Sequence, residues 1–146
     1  MKPKYRPAIF IIIYRIIKNK PQYLLLKRKL HWKGWEFPKG GIERFEFKKS
    51  TLKREIKEET GITKFKLKKK FKINKQYNYD KKYLDRKDFK GQKYKTLFLV
   101  EAKKQKIKID NLEHSDYQWL EFNKATKKLT WKNQRKLLKE ADKFLK

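Results

Sequence analysis

Gly40-Gly41-Ile42-Glu43-Arg44-Phe45-Glu46, resumed seven residues later by Arg54-Glu55-Ile56-Lys57-Glu58-Glu59-Thr60-Gly61-Ile62, is the stretch on which the reading of this chain turns. The sequence as a whole is basic, with 44 Lys and Arg against 16 Asp and Glu, yet six of those acids fall between Glu36 and Glu59. With Ser50 to Glu59 helical, at ~100° per residue, Glu55, Glu58 and Glu59 lie within an arc of roughly 100° on one face. Like charges at such spacings destabilise a helix by ~0.2–0.5 kcal/mol per pair. Three carboxylates on one stripe therefore predict a bound cation, and hard oxygen donors of this kind suit Mg²⁺ or Mn²⁺.

Outward from this stretch, Lys33 to Gly41 reads as a loop punctuated by Gly34, Pro38, Gly40 and Gly41. Four of the five glycines fall between Gly34 and Gly61, which concentrates special backbone geometry around the acids. The helix is expected to start near Lys49 or Ser50, to face the core through Leu52 and Ile56, and to end at a left-handed Gly61. Upstream, Ala8 to Ile17 is an apolar, β-branched run with Pro7 at its start, which reads as a central strand. Asn19-Lys20-Pro21 is a turn signal, and Gln22 to Arg28 the hairpin partner. Downstream, Phe65, Leu67 and Phe71 alternate with lysines as a strand with one solvated face. Tyr77 to Lys90 has no clear period and reads as a loop or irregular hairpin. Tyr94 to Ala102 and Asp116 to Phe122 are strands, with Trp119 in the core. Trp131 to Leu145 is an amphipathic helix facing inward through Leu137, Leu138, Ala141 and Leu145. Such an order predicts an α/β domain with a mixed sheet between helices.

Composition sets the outer bounds. A chain of 146 residues is long enough for one domain with a proper core. No apolar run reaches the ~18 residues that span a membrane, and no signal-peptide layout is present. There is no cysteine, so disulfides and thiolate metal sites are excluded. A soluble, cytoplasmic protein is the expectation. The formal net charge of +28 draws polyanions and favours RNA contact. However, lysine outnumbers arginine 37 to 7, whereas specific phosphate recognition recruits the arginine fork. Coding bias from an A/T-rich genome accounts for the same excess.

From Gly40 to Ile62 the spacing resembles the signature of the Nudix hydrolases: Gly, five residues, Glu, seven residues, then Arg-Glu-aliphatic-any-Glu-Glu-any-Gly-aliphatic. Nine fixed positions match. The entry Trp35-Glu36-Phe37-Pro38-Lys39-Gly40 is similar to that of dinucleoside-polyphosphate hydrolases and mRNA-decapping members. Tyr117-Gln118-Trp119-Leu120 is similar to the strand before the family's last helix. The likeness covers about residues 5 to 145, so the whole chain, 1–146, is expected to be one Nudix domain. Phe45 departs from it, standing where many members have Gly.

The resemblance implies an α/β/α sandwich and a metal-dependent hydrolysis of nucleoside diphosphates linked to another group. Cleaving a phosphoanhydride requires screening of the non-bridging oxygens and an activated water. By motif position, Glu58 and Glu59 are metal ligands, and Glu55 is a ligand or the general base. Arg54 orients the carboxylates, Glu46 supports the loop or a second metal, and Gly40 brings its carbonyl close to the metal. Glu113, in the polar segment before the Tyr117 strand, is a further candidate ligand. Lys39, Lys93 and Lys95 are candidates for phosphate contact. Trp35, Tyr77 and Tyr79 are candidates for a nucleobase, since base stacking contributes ~1–3 kcal/mol. His31 and His114 have no ligand spacing and read as surface or structural residues. Three functions compete. The first is hydrolysis of dinucleoside polyphosphates such as diadenosine tetraphosphate. The second is attack on the triphosphate or cap end of RNA. The third is a non-catalytic nucleic-acid-binding module, against which the intact box argues.

Overall fold

In the computed structural model, residues 4–79 and 89–146 are described. The elements run β1 (Lys4–Ile17), β2 (Lys20–Arg28), β3 (Gly34–Glu36), β4 (Lys39–Gly41), α1 (Lys48–Thr60), β5 (Phe65–Asn78), β6 (Phe89–Ala102), β7 (His114–Leu120), α2 (Phe122–Lys128) and α3 (Lys132–Leu145). One mixed sheet carries the order β3-β2-β1-β6-β5, with β4 also paired to β1 and β7 to β2. β1 and β6 are parallel, and the other pairings are antiparallel.

β1 is central because both of its faces are apolar, as its unbroken Ile run requires. Ile9, Ile11 and Ile13 join Leu52 and Ile56 of α1 on one side. Ala8, Phe10, Ile12 and Tyr14 join Ala125 of α2, Leu129 just past it, and Leu137, Leu138 and Ala141 of α3 on the other. This is the expected α/β/α sandwich. Each fully buried Leu or Ile contributes ~1.5–3 kcal/mol. The α3 layer is also tied down by the buried Tyr23 hydroxyl, which donates to Asp142 Oδ1 at 2.7 Å.

The structure departs from the sequence reading in several places. The Lys33–Gly41 loop contains two short strands, β3 and β4, because β2 and β1 have free backbone edges there. β1 extends back to Lys4, which puts Pro7 inside it, opposite Lys93. The expected loop from Tyr77 is still strand through Asn78, and strand resumes at Phe89; residues 80–88 lie outside the described part. The expected Asp116–Phe122 strand is shifted to His114–Leu120, and Phe122 instead opens the unforeseen α2. Trp119 packs against the α1-side core as read from the sequence, but only half-buried, with Arg15 at 4.6 Å over its ring. Among the described residues, no helix is long and apolar enough to cross a membrane.

Candidate active site

α1 begins two residues after Glu46 and stops at Gly61, whose φ of 74° is the left-handed cap geometry, with its N–H on Lys57 O at 2.9 Å. The turn of the helix decides the fate of each acid. Leu52 and Ile56 face the sheet, and Glu55 and Glu59, four apart, are drawn in beside them at 9% and 5% exposure. Glu58 points outward, its side chain 57% exposed. The three-carboxylate stripe therefore has two buried members and one at the rim.

β4 supplies the opposing wall. Gly40 lies across from Ile9, and a Cβ there would overlap Cγ, Cδ and Oε1 of Glu55. Glycine is required here by close approach, since its φ is not in the left-handed region. The Lys39 N–H donates to Glu59 Oε2 at 3.2 Å. Burial pushes the Glu55 carboxyl up to about 7, against the pull of Arg54. Burial also raises Glu59 well above the usual carboxylate range, and Glu36, Glu55 and Glu113 add to the effect. Glu113 is thus electrostatically part of the same cluster.

Arg54 is the cation now among these groups. Its Nη1 donates to Glu55 Oε1 at 2.7 Å and Glu58 Oε2 at 3.3 Å. Its Nε and Nη2 grip Glu46 at 2.8 and 2.9 Å, and Nη2 also reaches Gly41 O at 2.9 Å. Glu46 also accepts from Thr51 Oγ1 at 2.7 Å and from the Glu43 N–H at 3.0 Å. The Arg54 hydrogen bonds hold its pKa at about 2. With both oxygens engaged, Glu46 braces the loop. The loop also holds Phe45 at φ 65°, 91% exposed, in the left-handed region where glycine is at ease.

Among the described residues no three carboxylate or histidine groups close into a finished metal cage. The donor set nevertheless fits a divalent cation. Glu55 and Glu59 are buried carboxylates whose mutual repulsion a cation would relieve, and Gly40, having no side chain, lets the β4 backbone come right up to Glu55. All donors are hard oxygens, which suit Mg²⁺ or Mn²⁺.

The remaining candidates are dispersed. Lys39 does not point freely toward a phosphate; its Nζ pairs with Glu36 Oε1 at 3.1 Å. Tyr77 lies edge-on to Tyr94 at 5.5 Å and to Phe10 at 6.3 Å, partly exposed, and Tyr79 is tied by its N–H to Lys90 O. Trp35 is turned toward the α2–α3 side, with Lys128 over its ring at 4.6 Å. Lys93 and Lys95 line a different concavity of about 420 Å³ with Lys48, Lys70 and Lys72, and no carboxylate among the described residues lines it.

Sequence reasoning missed Glu36. It is 1% exposed and receives His114 Nε2 at 2.8 Å, Arg28 Nη1 at 3.4 Å and the Lys39 ammonium. Burial pushes its carboxyl up, but Lys39, the His114 hydrogen bond and Arg28 outweigh this and leave it at about 2. His114, read from the sequence as a surface or structural residue, is fully buried against Glu36. The three partners lie on three different strands, so no spacing in the sequence announced them.

The family model described as "NUDIX domain" matches residues 4–141. A curated RNA pyrophosphohydrolase from Nitratiruptor sp. is 34% identical over 67 residues, 45% of this chain and 43% of that protein. One from Marinomonas sp. is 40% identical over 58 residues, 40% of this chain and 34% of that protein. The matched stretch thus spans less than half the length of either relative. Among solved structures, a binary complex of a C. elegans Ap4A hydrolase superposes with a TM-score of 0.79 at 23% identity, covering 96% of this chain and 97% of that one. The NUDIX domain of Shewanella oneidensis NrtR, bound to ADP ribose, gives 0.74 at 16% identity, over 100% and 91% of the two chains. At these identities the likeness is one of fold.

Proposed function

The chain belongs to the NUDIX family, and on that footing we propose that it hydrolyses phosphoanhydride bonds of nucleoside diphosphate derivatives, with dinucleoside polyphosphates such as diadenosine tetraphosphate as its preferred substrates. The observation that carries the reading is the pair of buried carboxylates set against β4, Glu55 at Gly40 and Glu59 on the Lys39 N–H. Glu55, Glu58 and Glu59, with the Gly40 carbonyl, would hold Mg²⁺ or Mn²⁺, and Glu113 is the further candidate. When bound, the metal supplies charge screening for the polyphosphate oxygens and a lowered pKa for the attacking water.

The rest falls to the side chains. Glu55 serves either as a ligand or as the general base that takes the proton of the attacking water. Arg54 cannot act as a proton carrier, because guanidinium stays charged. It holds Glu55, Glu58 and the Glu46 loop in one register. Partly exposed Tyr77 offers a ring edge for a base. The Trp35–Gly40 entry supports the dinucleoside class.

A second reading, removal of phosphates from the 5′ end of RNA, is favoured by the lysine-lined concavity and by the curated relatives named RNA pyrophosphohydrolase. The test is a substrate panel with Mg²⁺ that sets diadenosine tetraphosphate against 5′-triphosphorylated RNA. Glu58→Gln and Glu59→Gln should each cost at least ~10²-fold in rate, about 3 kcal/mol of transition-state stabilisation. Turnover that survives EDTA and both substitutions would remove the assignment.

A further inference from the structure

We infer that Glu36 is a positioning residue of this active site: its buried carboxylate holds Lys39 and Arg28 in register, and through them Glu59 and Glu113. The inference rests on the hydrolase reading above and adds to it a residue outside the motif.

Glu36 ends β3, opposite Leu26 of β2. Its two oxygens are divided. Oε1 faces the Lys39 ammonium at 3.1 Å, while Oε2 takes His114 Nε2 at 2.8 Å and Arg28 Nη1 at 3.4 Å. Arg28 and His114 are register partners across β2 and β7, which is why both arrive at the same oxygen. Burying a carboxylate costs several kcal/mol, and a well-packed apolar replacement of a buried ion pair is often neutral or stabilising. Stability alone is therefore a poor account of Glu36.

What sets this hub apart is where its partners go next. Arg28 Nη1 also reaches Glu113 Oε2 at 3.5 Å. Lys39, held by its side chain, donates its backbone N–H to Glu59 Oε2 at 3.2 Å. His114 directly follows Glu113, whose carbonyl is held by the Lys29 N–H at 2.9 Å. Two candidate ligands from distant parts of the chain, one on α1 and one before β7, are thus each one contact removed from a single carboxylate. A misplacement of ~1 Å at a reacting centre costs ~10²-fold, so a common anchor has functional value.

The test is Glu36→Gln, which keeps the shape and can still accept from His114 but lacks the charge that holds Lys39 and Arg28. Mn²⁺ affinity is titrated without substrate by electron paramagnetic resonance, beside kcat and KM for diadenosine tetraphosphate and thermal unfolding. The expected result is a ~10–100-fold loss of Mn²⁺ affinity, with kcat lowered and KM little changed. Because this variant strands a buried ammonium, the pair E36Q/K39M, which removes both charges and keeps the residue 39 N–H, is measured beside it. The pair should regain thermal stability while Mn²⁺ affinity stays at least ~10-fold down, since Arg28 and Glu113 remain unanchored. A purely structural hub gives the opposite, because deleting a cation near the carboxylates by itself tightens metal binding. Affinity in the pair equal to or above wild type overturns the inference. Wild-type protein that binds no Mn²⁺ overturns the hydrolase reading, and this inference with it.

Discussion

Gly40→Ala isolates the contact on which the carboxylate site depends. The backbone at Gly40 is open to alanine, so the cost arises only where the new methyl meets Glu55. The added Cβ would overlap Cγ, Cδ and Oε1 of that side chain. Restoring an ordinary carbon contact of ~3.5 Å needs the carboxyl to retreat by more than ~1 Å. Glu55 has little room for this, being 9% exposed and held by Arg54 at 2.7 Å. Overpacking of this kind costs ~1–3 kcal/mol, and at ~2–4 °C per kcal/mol for a domain of this size the melting temperature should fall by roughly 2–12 °C. A carboxylate displaced by ~1 Å should lose ~10²-fold in kcat. In a Glu55→Ala background the clashing atoms are gone, and the same Gly40→Ala change should cost almost nothing in stability. Scanning calorimetry of the four proteins yields a coupling of ~1–3 kcal/mol between the two positions. An equal loss in both backgrounds, or no loss with Glu55 present, would refute the close approach as the reason for glycine.

Arg54→Lys should lose activity nearly as far as Arg54→Ala, at least ~10²-fold, because one ammonium cannot span Glu46, Glu55, Glu58 and Gly41 O; a near-normal kcat in the lysine variant would reduce its role to charge. For the Lys48–Lys95 concavity, Lys70→Gln/Lys72→Gln should lower the log–log salt slope of single-stranded RNA binding by ~0.7 per lost phosphate contact, measured by fluorescence anisotropy, and an unchanged slope would exclude those lysines. Near physiological ionic strength, where nonspecific attraction is screened, kcat/KM should favour diadenosine tetraphosphate over triphosphorylated RNA. A reproducible tenfold preference for RNA would reverse that ranking. Glu36 is depressed to about 2 from 4.5: its contribution is fully present above the unfolded value and is lost as pH falls through the folded one. Glu36→Gln should therefore flatten the acid limb of stability between pH 4.5 and 2, as followed by chemical unfolding, and an unaltered limb would show that the carboxylate is not held in its charged form.

Local pattern was enough to read α1, because its information is periodic and contiguous. Leu52 and Ile56 set the buried face, Gly61 the cap, and the phase of the helix grouped Glu55, Glu58 and Glu59 on one stripe, of which packing buried Glu55 and Glu59 and left Glu58 outside. The apolar run of β1 was legible for the same reason, since only a strand covered on both faces has no polar alternation. By contrast, β3 and β4 are three-residue strands made by free edges of neighbours distant in sequence. Short α2 left no period long enough to read.

The clearest difference is between Glu55 and Glu36. Glu55 and Arg54 are adjacent in the chain, so a helix alone brings their neighbours together. Glu36 acquires its partners only when β2, β4 and β7 are assembled, and the same assembly decides that Lys39 pairs inward while Lys93 and Lys95 gather elsewhere with three other lysines. Sequence by itself determined which residues could carry charge to the site and the phase of the helix that presents them. Tertiary structure decided which of those charges are buried and with whom they pair, because burial and counter-ions are properties of surfaces meeting across the sheet and have no period along the chain.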